Sequence, residues 1–399
     1  MGGLFSAQQE SGMDKLIIKK IIGLLIFWRL GLFGLSWLAP SLLMYQPSFP
    51  YAYDLLAQLG LPQWLYSWAN FDGVHYLTIM RHGYIGTGLI QAFFPFFPLF
   101  VGLFTPAIPE VIMTLILNLF TTGLSLYFLF LLVARHHASS VAWLSLCLLL
   151  IFPTSFYLGA VYSEAFFLCF VLGALLAADK QRWLLATLAA ALAISTRLVG
   201  IFILPALVVQ LFADVPLRQL PSSIKKNIHI LLLLSLSLFG LFAFMSFLQF
   251  EFSDPLYFFH VQSEFGSGRQ ESLILLPQTL WRGIKIVATV PLSRIWLTYA
   301  QELLFTLVSA VTLVIGVWQR RSLKLPLSWL VFALGVVLLP TLTGTLSSMP
   351  RYILVAFPLY IIWAQFLQKY KVTRGILMVL SLSLLIYNTV LFIQGYWVA

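Results

Sequence analysis

The densest polar stretch of the sequence reads Trp68-Ala69-Asn70-Phe71-Asp72-Gly73-Val74-His75-Tyr76, followed by Arg81-His82-Gly83-Tyr84. A helix over residues 72–81 would set Asp72, His75 and Tyr76 at i, i+3 and i+4, so that a carboxylate, an imidazole and a phenol share one face. A carboxylate within hydrogen-bond reach of a hydroxyl can take its proton as that oxygen attacks, which is general-base chemistry. The spacing serves a plainer purpose equally well. Asp72 can cap the helix ahead of Gly73 by accepting backbone N–H bonds, and the aromatic, proline-rich surroundings suit an interfacial belt.

Candidate cationic groups are Arg197 and Arg351, each beside a polar turn, with Arg81 and Arg269 behind them. A planar guanidinium suits bidentate contact with phosphate; a long basic side chain near a helix end can also simply snorkel to the interface. Glu164, after Tyr162 and Ser163, is an ionisable group close to apolar surroundings and so a functional candidate, or else the partner of a structural arginine. Arg29 lies about nine residues past Lys20, about 13 Å up a helix, and must find a partner inside the bundle. His75, His82 and His260 with Asp72 or Asp254 have no spacing diagnostic of a metal site, and neither do Cys147 and Cys169. No metal or other cofactor is expected.

The residues between these groups define the scaffold. The chain is 61% hydrophobic and 9% charged, with a mean hydropathy of +0.96, whereas a soluble domain is about 25% charged. A single all-α, polytopic membrane domain over residues 1–399 is expected, its surface covered by lipid. The net charge of +10 comes in small clusters between apolar runs, not as a stripe on one soluble face, which argues against nucleic acid. Apolar runs near the roughly 20 residues of a spanning helix predict eleven crossings, near 16–39, 110–133, 139–153, 164–178, 183–195, 199–212, 228–250, 296–318, 326–346, 352–368 and 375–395. A cytoplasmic N-terminus then puts fifteen of the 23 Lys and Arg residues inside, as the positive-inside rule requires. Two long segments, 40–109 and 251–295, fall on the other face, as do short turns around 153–163, 195–200 and 346–351, and that face as a whole receives nine of the 13 acidic residues. The stretch from Ala92 to Phe100, interrupted by Pro95 and Pro98, is expected to lie in the interface or to dip in and return, as part of loops that carry interfacial helices.

The run from Asp72 through His75-Tyr76 and Gly83-Tyr84 to Ala92-Phe93-Phe94-Pro95-Phe96-Phe97-Pro98-Leu99 resembles the family of the second mannosyltransferase of glycosylphosphatidylinositol assembly (PIG-V-like). Further pieces follow in the family's order: Phe152-Pro153-Thr154-Ser155 with Tyr162-Ser163-Glu164, Ser195-Thr196-Arg197, Ser253-Asp254-Pro255-Leu256 with His260-Val261-Gln262, and Arg351-Tyr352 with Phe357-Pro358-Leu359. The chain departs from it at Asn70-Phe71, where the family carries a tryptophan next to the aspartate. The resemblance implies a GT-C glycosyltransferase fold, Asp72 as the catalytic residue and a polyprenyl-phosphate-linked mannose as donor. Arg197, Arg351 and Arg81 would then hold the donor phosphate, with His75, Tyr76, Glu164, Tyr352, His260 and Gln262 in supporting positions. The acceptor would be a glycolipid or glycan on the noncytoplasmic face of a plasma membrane or endoplasmic reticulum. A transporter or lipid flippase is the main alternative, although its polar groups should lie near the bilayer midplane; a noncatalytic scaffold leaves the Asp72 motif unexplained.

Overall fold

A computed structural model describes residues 2–49, 51–85, 88–265, 268–270 and 272–398, and these are all-helical, without strands. Five helices are long and apolar enough to cross a membrane: Asp14–Leu42, Glu110–His136, Ile228–Phe252, Arg294–Trp318 and Lys371–Ile393. The pair Met349–Val355 and Pro358–Lys369, bent by 77°, makes a sixth if counted as one broken span. Every apolar run read as a crossing is helical, but length does not support a count of eleven. Ser139–Leu150, Glu164–Asp179, Trp183–Thr196, Leu198–Leu211 and Leu327–Thr341 have 16 residues or fewer. At 1.5 Å per residue they fall short of a hydrocarbon core about 30 Å thick.

The long helices present apolar side chains outward, such as Phe27 at 78% and Phe239 at 76% exposure, the surface that lipid tails would cover. Inward, the helices carry small polar groups with a definite task. Asn118 Nδ2 donates to the carbonyls of Ala160 (2.5 Å) and Tyr162 (3.0 Å), and Thr122 Oγ1 donates to that of Leu158 (3.0 Å). These bonds satisfy buried carbonyls of the irregular stretch 155–163, a short 3-10 turn over Ser155–Gly159 and the bend after it, which would otherwise be costly away from water. Arg29 serves the same turn. Its Nη1 donates to the Gly159 carbonyl at 2.7 Å, and its guanidinium packs over the rings of Phe33 and Trp68. The partner of this arginine is therefore a backbone carbonyl flanked by aromatic faces, not a carboxylate.

The helix is interrupted between the runs read as the crossings 183–195 and 199–212. Arg197 is extended between Trp183–Thr196 and the 198–211 segment, and a Cβ at Gly200 would sit 2.6 Å from the Ala193 carbonyl oxygen. Only glycine allows that return so close to the preceding helix. In the first long segment, Phe96–Gly102 forms a short helix after Pro95; Pro98 falls in its first turn, where its missing N–H is harmless. The Glu110–His136 and Glu164–Asp179 helices run between two distinct ends of the bundle. One end carries Glu110 and Glu164; at the other, Arg135 pairs with Asp179 at 2.6 Å.

Candidate functional site

Asp72 begins the helix Asp72–His82, and the residue before it is under strain. Phe71 adopts φ 57° and ψ −121°, a region that disfavours side chains and costs about 1–3 kcal/mol. The conformation is held from several sides. The Phe71 ring packs against Phe49, Trp397 and Phe392 at centroid distances of 4.6, 5.6 and 5.9 Å. Asn70 Nδ2 donates to the Phe392 and Ile393 carbonyls, Tyr162 Oη donates to the Asn70 carbonyl at 2.9 Å, and the Asp72 N–H donates to Tyr162 Oη at 3.2 Å. The helix has no side-chain cap, so the capping role open to Asp72 in the sequence is not the one it takes. Its carboxylate turns to Arg351 instead.

Arg351 is the hub. Its Nη1 donates to Asp72 Oδ2 at 2.6 Å, while Nε and Nη2 donate to Glu164 Oε1 at 3.1 and 3.0 Å. Arg197 Nη1 donates to the same Glu164 oxygen at 2.6 Å. The guanidinium of Arg351 is further packed over Tyr157 and Tyr162, at 4.8 and 4.7 Å. Two arginines and two carboxylates thus form a linear, electrically neutral chain from Asp72 through Arg351 and Glu164 to Arg197. Burial alone would raise the Asp72 pKa, but the charge and hydrogen bond of Arg351, helped by His75 and Arg269, hold it below the usual carboxylate range. Asp72 is ionised, accessible and a weak base for as long as Arg351 faces it.

Asp72, Tyr76, Arg197, Arg351, Tyr352 and Gln262 line one cavity of about 330 Å³, together with Arg269. Tyr76 shares a hydrogen bond with Ser163 Oγ at 3.0 Å, and burial keeps its phenol protonated by pushing its pKa up. Gln262 Oε1 accepts from Arg269 Nη1 at 2.6 Å, and Tyr352 lies beneath the Arg197 guanidinium. Leu198, Val199, Leu339, Pro340 and Leu342 form an apolar wall. Glu164 is not exposed to the cavity; it holds both arginines from behind. His75 and His260 are off the lining. His75 stacks on Phe93 at 5.3 Å, and His260 Nδ1 is 2.6 Å from Asp254 Oδ2.

Arg81 is a correction to the sequence reading. It ends the Asp72–His82 helix and makes a bidentate pair with Glu110, at 2.7 and 3.1 Å, away from the cavity lining. Nine helical steps, about 13 Å, separate it from Asp72, so it lies apart from the carboxylate of the same motif. Sequence reasoning also passed over Glu302. This buried carboxylate accepts the Ser348 N–H at 2.9 Å and braces a left-handed residue (φ 65°) ahead of the helix that carries Arg351. A lone acid in the apolar 296–318 run was the available signal. Trp397, which joins the lining from the end of the chain, gave none. Among the described residues no three His, Cys, Asp or Glu side chains gather as a metal-binding group. No family model matches the chain, and neither a curated protein nor a solved structure matches it.

Proposed function

We propose that this protein is a membrane glycosyltransferase, most readily a mannosyltransferase, that moves a sugar from a polyprenyl-phosphate donor to a hydroxyl of a lipid-linked or glycan acceptor, with Asp72 as general base. The observation that carries the reading is the makeup of the cavity: Asp72 is its one lining carboxylate among the described residues, and Arg197, Arg269 and Arg351 share it. The volume of about 330 Å³ falls within the roughly 300–1,000 Å³ typical of small-molecule sites.

In this mechanism the acceptor O–H donates to an Asp72 carboxylate oxygen. Its oxygen attacks the anomeric carbon of the donor sugar while the bond from that carbon to the phosphate oxygen breaks, through an oxocarbenium-like state of the kind known in glycoside hydrolysis. The proton ends on Asp72, and the electron pair leaves with the polyprenyl phosphate. Phosphate is a good leaving group and needs no general acid, only positive charge; such preorganised stabilisation is usually a large catalytic term. Arg197 and Arg269 supply it. Arg351 is bonded to both carboxylates, and an incoming phosphate that draws it away from Asp72 also restores the basicity that Asp72 lacks while paired to it. The apolar wall at Leu198, Val199 and Leu339 accommodates the first isoprene units.

The site occupies the noncytoplasmic face in this reading, with eleven helical legs in a GT-C-like arrangement and the shorter legs crossing where the bundle thins the bilayer. The test is transfer. Purified full-length chain, given synthetic polyprenyl-phosphate mannose labelled in the sugar and a membrane lipid extract, should yield a labelled product at a rate well above the protein-free control. Equal label in both would overturn the assignment.

A further inference from the structure

The end of the bundle remote from Asp72 holds a second cavity, of about 440 Å³. We infer that it is a binding site for a phosphate group, that of an anionic phospholipid headgroup. Its lining joins three elements that are distant in sequence: Arg135, His136 and His137 at the end of the Glu110–His136 helix, Ser322 and Lys324 in the turn after Arg294–Trp318, and Gln365 in Pro358–Lys369. All six are hydrogen-bonding groups, and none is an acid.

The arrangement is built, not a chance gathering of surface lysines. Gln365 Nε2 donates to the Leu323 carbonyl at 3.2 Å, which ties the turn to the neighbouring helix. Lys324 is held in the left-handed region at φ 50°, and its N–H donates to the Arg321 carbonyl at 3.3 Å. The His136 ring packs edge-on against Trp329 at 5.2 Å. Among the described residues the only acid paired to the lining is Asp179, which accepts Arg135 Nη1 at 2.6 Å and Gln210 Nε2 at 3.4 Å. His137 Nε2 is buried and has no hydrogen-bond partner among the described residues. Burial, followed by the charges of His136 and Lys324, pushes the His137 imidazole down to about 4. Arg135 thus shares its charge with Asp179 and His137 is uncharged at neutral pH, while Lys324 has no countercharge among the described residues and a polar atom of His137 is left unsatisfied.

A phosphate meets both needs. It accepts several N–H and O–H bonds at once, and charge-assisted bonds of this kind are the strong ones. Basic pockets between spanning helices are suited to lipid headgroups, and any end of a bundle that crosses a bilayer lies at headgroup depth. The inference does not depend on the glycosyl-transfer reading.

The test is retention of lipid by the full chain in nanodiscs of phosphatidylcholine with and without phosphatidylglycerol, read by native mass spectrometry and by the thermal midpoint. Lys324→Asn tolerates the left-handed backbone and removes the charge; Arg321→Gln, in the same turn but off the lining, is the control. Phosphatidylglycerol should be retained by wild type and by Arg321→Gln, and about fivefold less by Lys324→Asn, the effect of one basic residue near a charged headgroup. An inorganic phosphate titration in phosphatidylcholine alone separates the sources: no stabilisation assigns the phosphate to lipid, and stabilisation lost in Lys324→Asn assigns it to a soluble phosphate compound instead. Equal retention and equal thermal shifts in wild type and Lys324→Asn would overturn the site.

Discussion

Glu164→Gln removes the negative charge that lies between two buried guanidinium groups. Side-chain exposures are 0% for Glu164, 8% for Arg351 and 11% for Arg197, so water screens little of what passes between them. Glutamine keeps the shape and one acceptor oxygen, but it leaves a net positive charge in the chain of four. Glu164 Oε1 accepts bonds at 2.6, 3.1 and 3.0 Å, and at about 1.5–3 kcal/mol for a bond to a charged group three of them amount to roughly 5–9 kcal/mol gross. Removal of one partner of a buried pair typically costs about 3–5 kcal/mol net, and that lower range is the expected loss because one acceptor survives. Adding Arg197→Gln restores neutrality, so the double variant should be more stable than the sum of the singles by about 1–3 kcal/mol. The assay is a double-mutant cycle on unfolding in mixed micelles, followed by tryptophan fluorescence. A Glu164→Gln loss within about 0.5 kcal/mol of zero, the usual effect of a surface change, or strict additivity of the pair, would refute the ion-pair account.

Other expectations follow from the same geometry. Arg351→Lys should impair donor use less than Arg351→Ala but still measurably, since an ammonium cannot bridge Asp72 and Glu164 in one plane; apparent donor affinities decide, and identical wild-type values in both would remove Arg351 from the site. Arg81→Ala should cost only about 0.2–1 kcal/mol, as exposed pairs do, and leave donor affinity unchanged; a large loss of affinity would return Arg81 to the site. The Asp72 pKa is depressed below its ordinary 3.8 in the folded chain, so its contribution to stability is present above that value and lost as pH falls through the folded pKa. Acid titration of unfolding should therefore show a component below about pH 4 that Asp72→Asn abolishes. In a background with Cys147 and Cys169 replaced by alanine, Gln58→Cys and Gln270→Cys should label from one side of sealed vesicles and Arg320→Cys from the other; labelling of the first two from opposite sides would dismantle the topology.

The helices were legible because their cause is local. Apolar runs, the polar Ser195-Thr196-Arg197 break and the prolines of 92–100 mark where helices begin and end, and the structure follows those marks closely. Crossing number was less legible, because 12 to 16 apolar residues make a good helix whether or not they cross a bilayer. The candidate site divides along the same line. Asp72 stood out as a carboxylate in an aromatic motif, and Glu164 and Arg351 stood out as charges beside polar turns, but Arg351 lies 279 residues from Asp72 and 187 from Glu164. Nothing local says that they meet. Arg81 misled for the converse reason: proximity in sequence suggested a shared role, and the helix carried it to Glu110. Arg29 shows a further limit, since its partner is a backbone carbonyl in a turn, and carbonyls are invisible in residue types.

The most direct measurement is single-turnover sugar transfer by Asp72→Asn, with donor binding measured on the same preparation. Asparagine preserves the size of the side chain and can still accept a hydrogen bond from Arg351, but it cannot take a proton. Donor binding should remain and transfer should fall by about 10²–10⁴, the usual contribution of a general base. Transfer within a few-fold of wild type, in preparations of matched monodispersity and donor occupancy, would contradict the general-base role and leave Asp72 as a structural partner of Arg351.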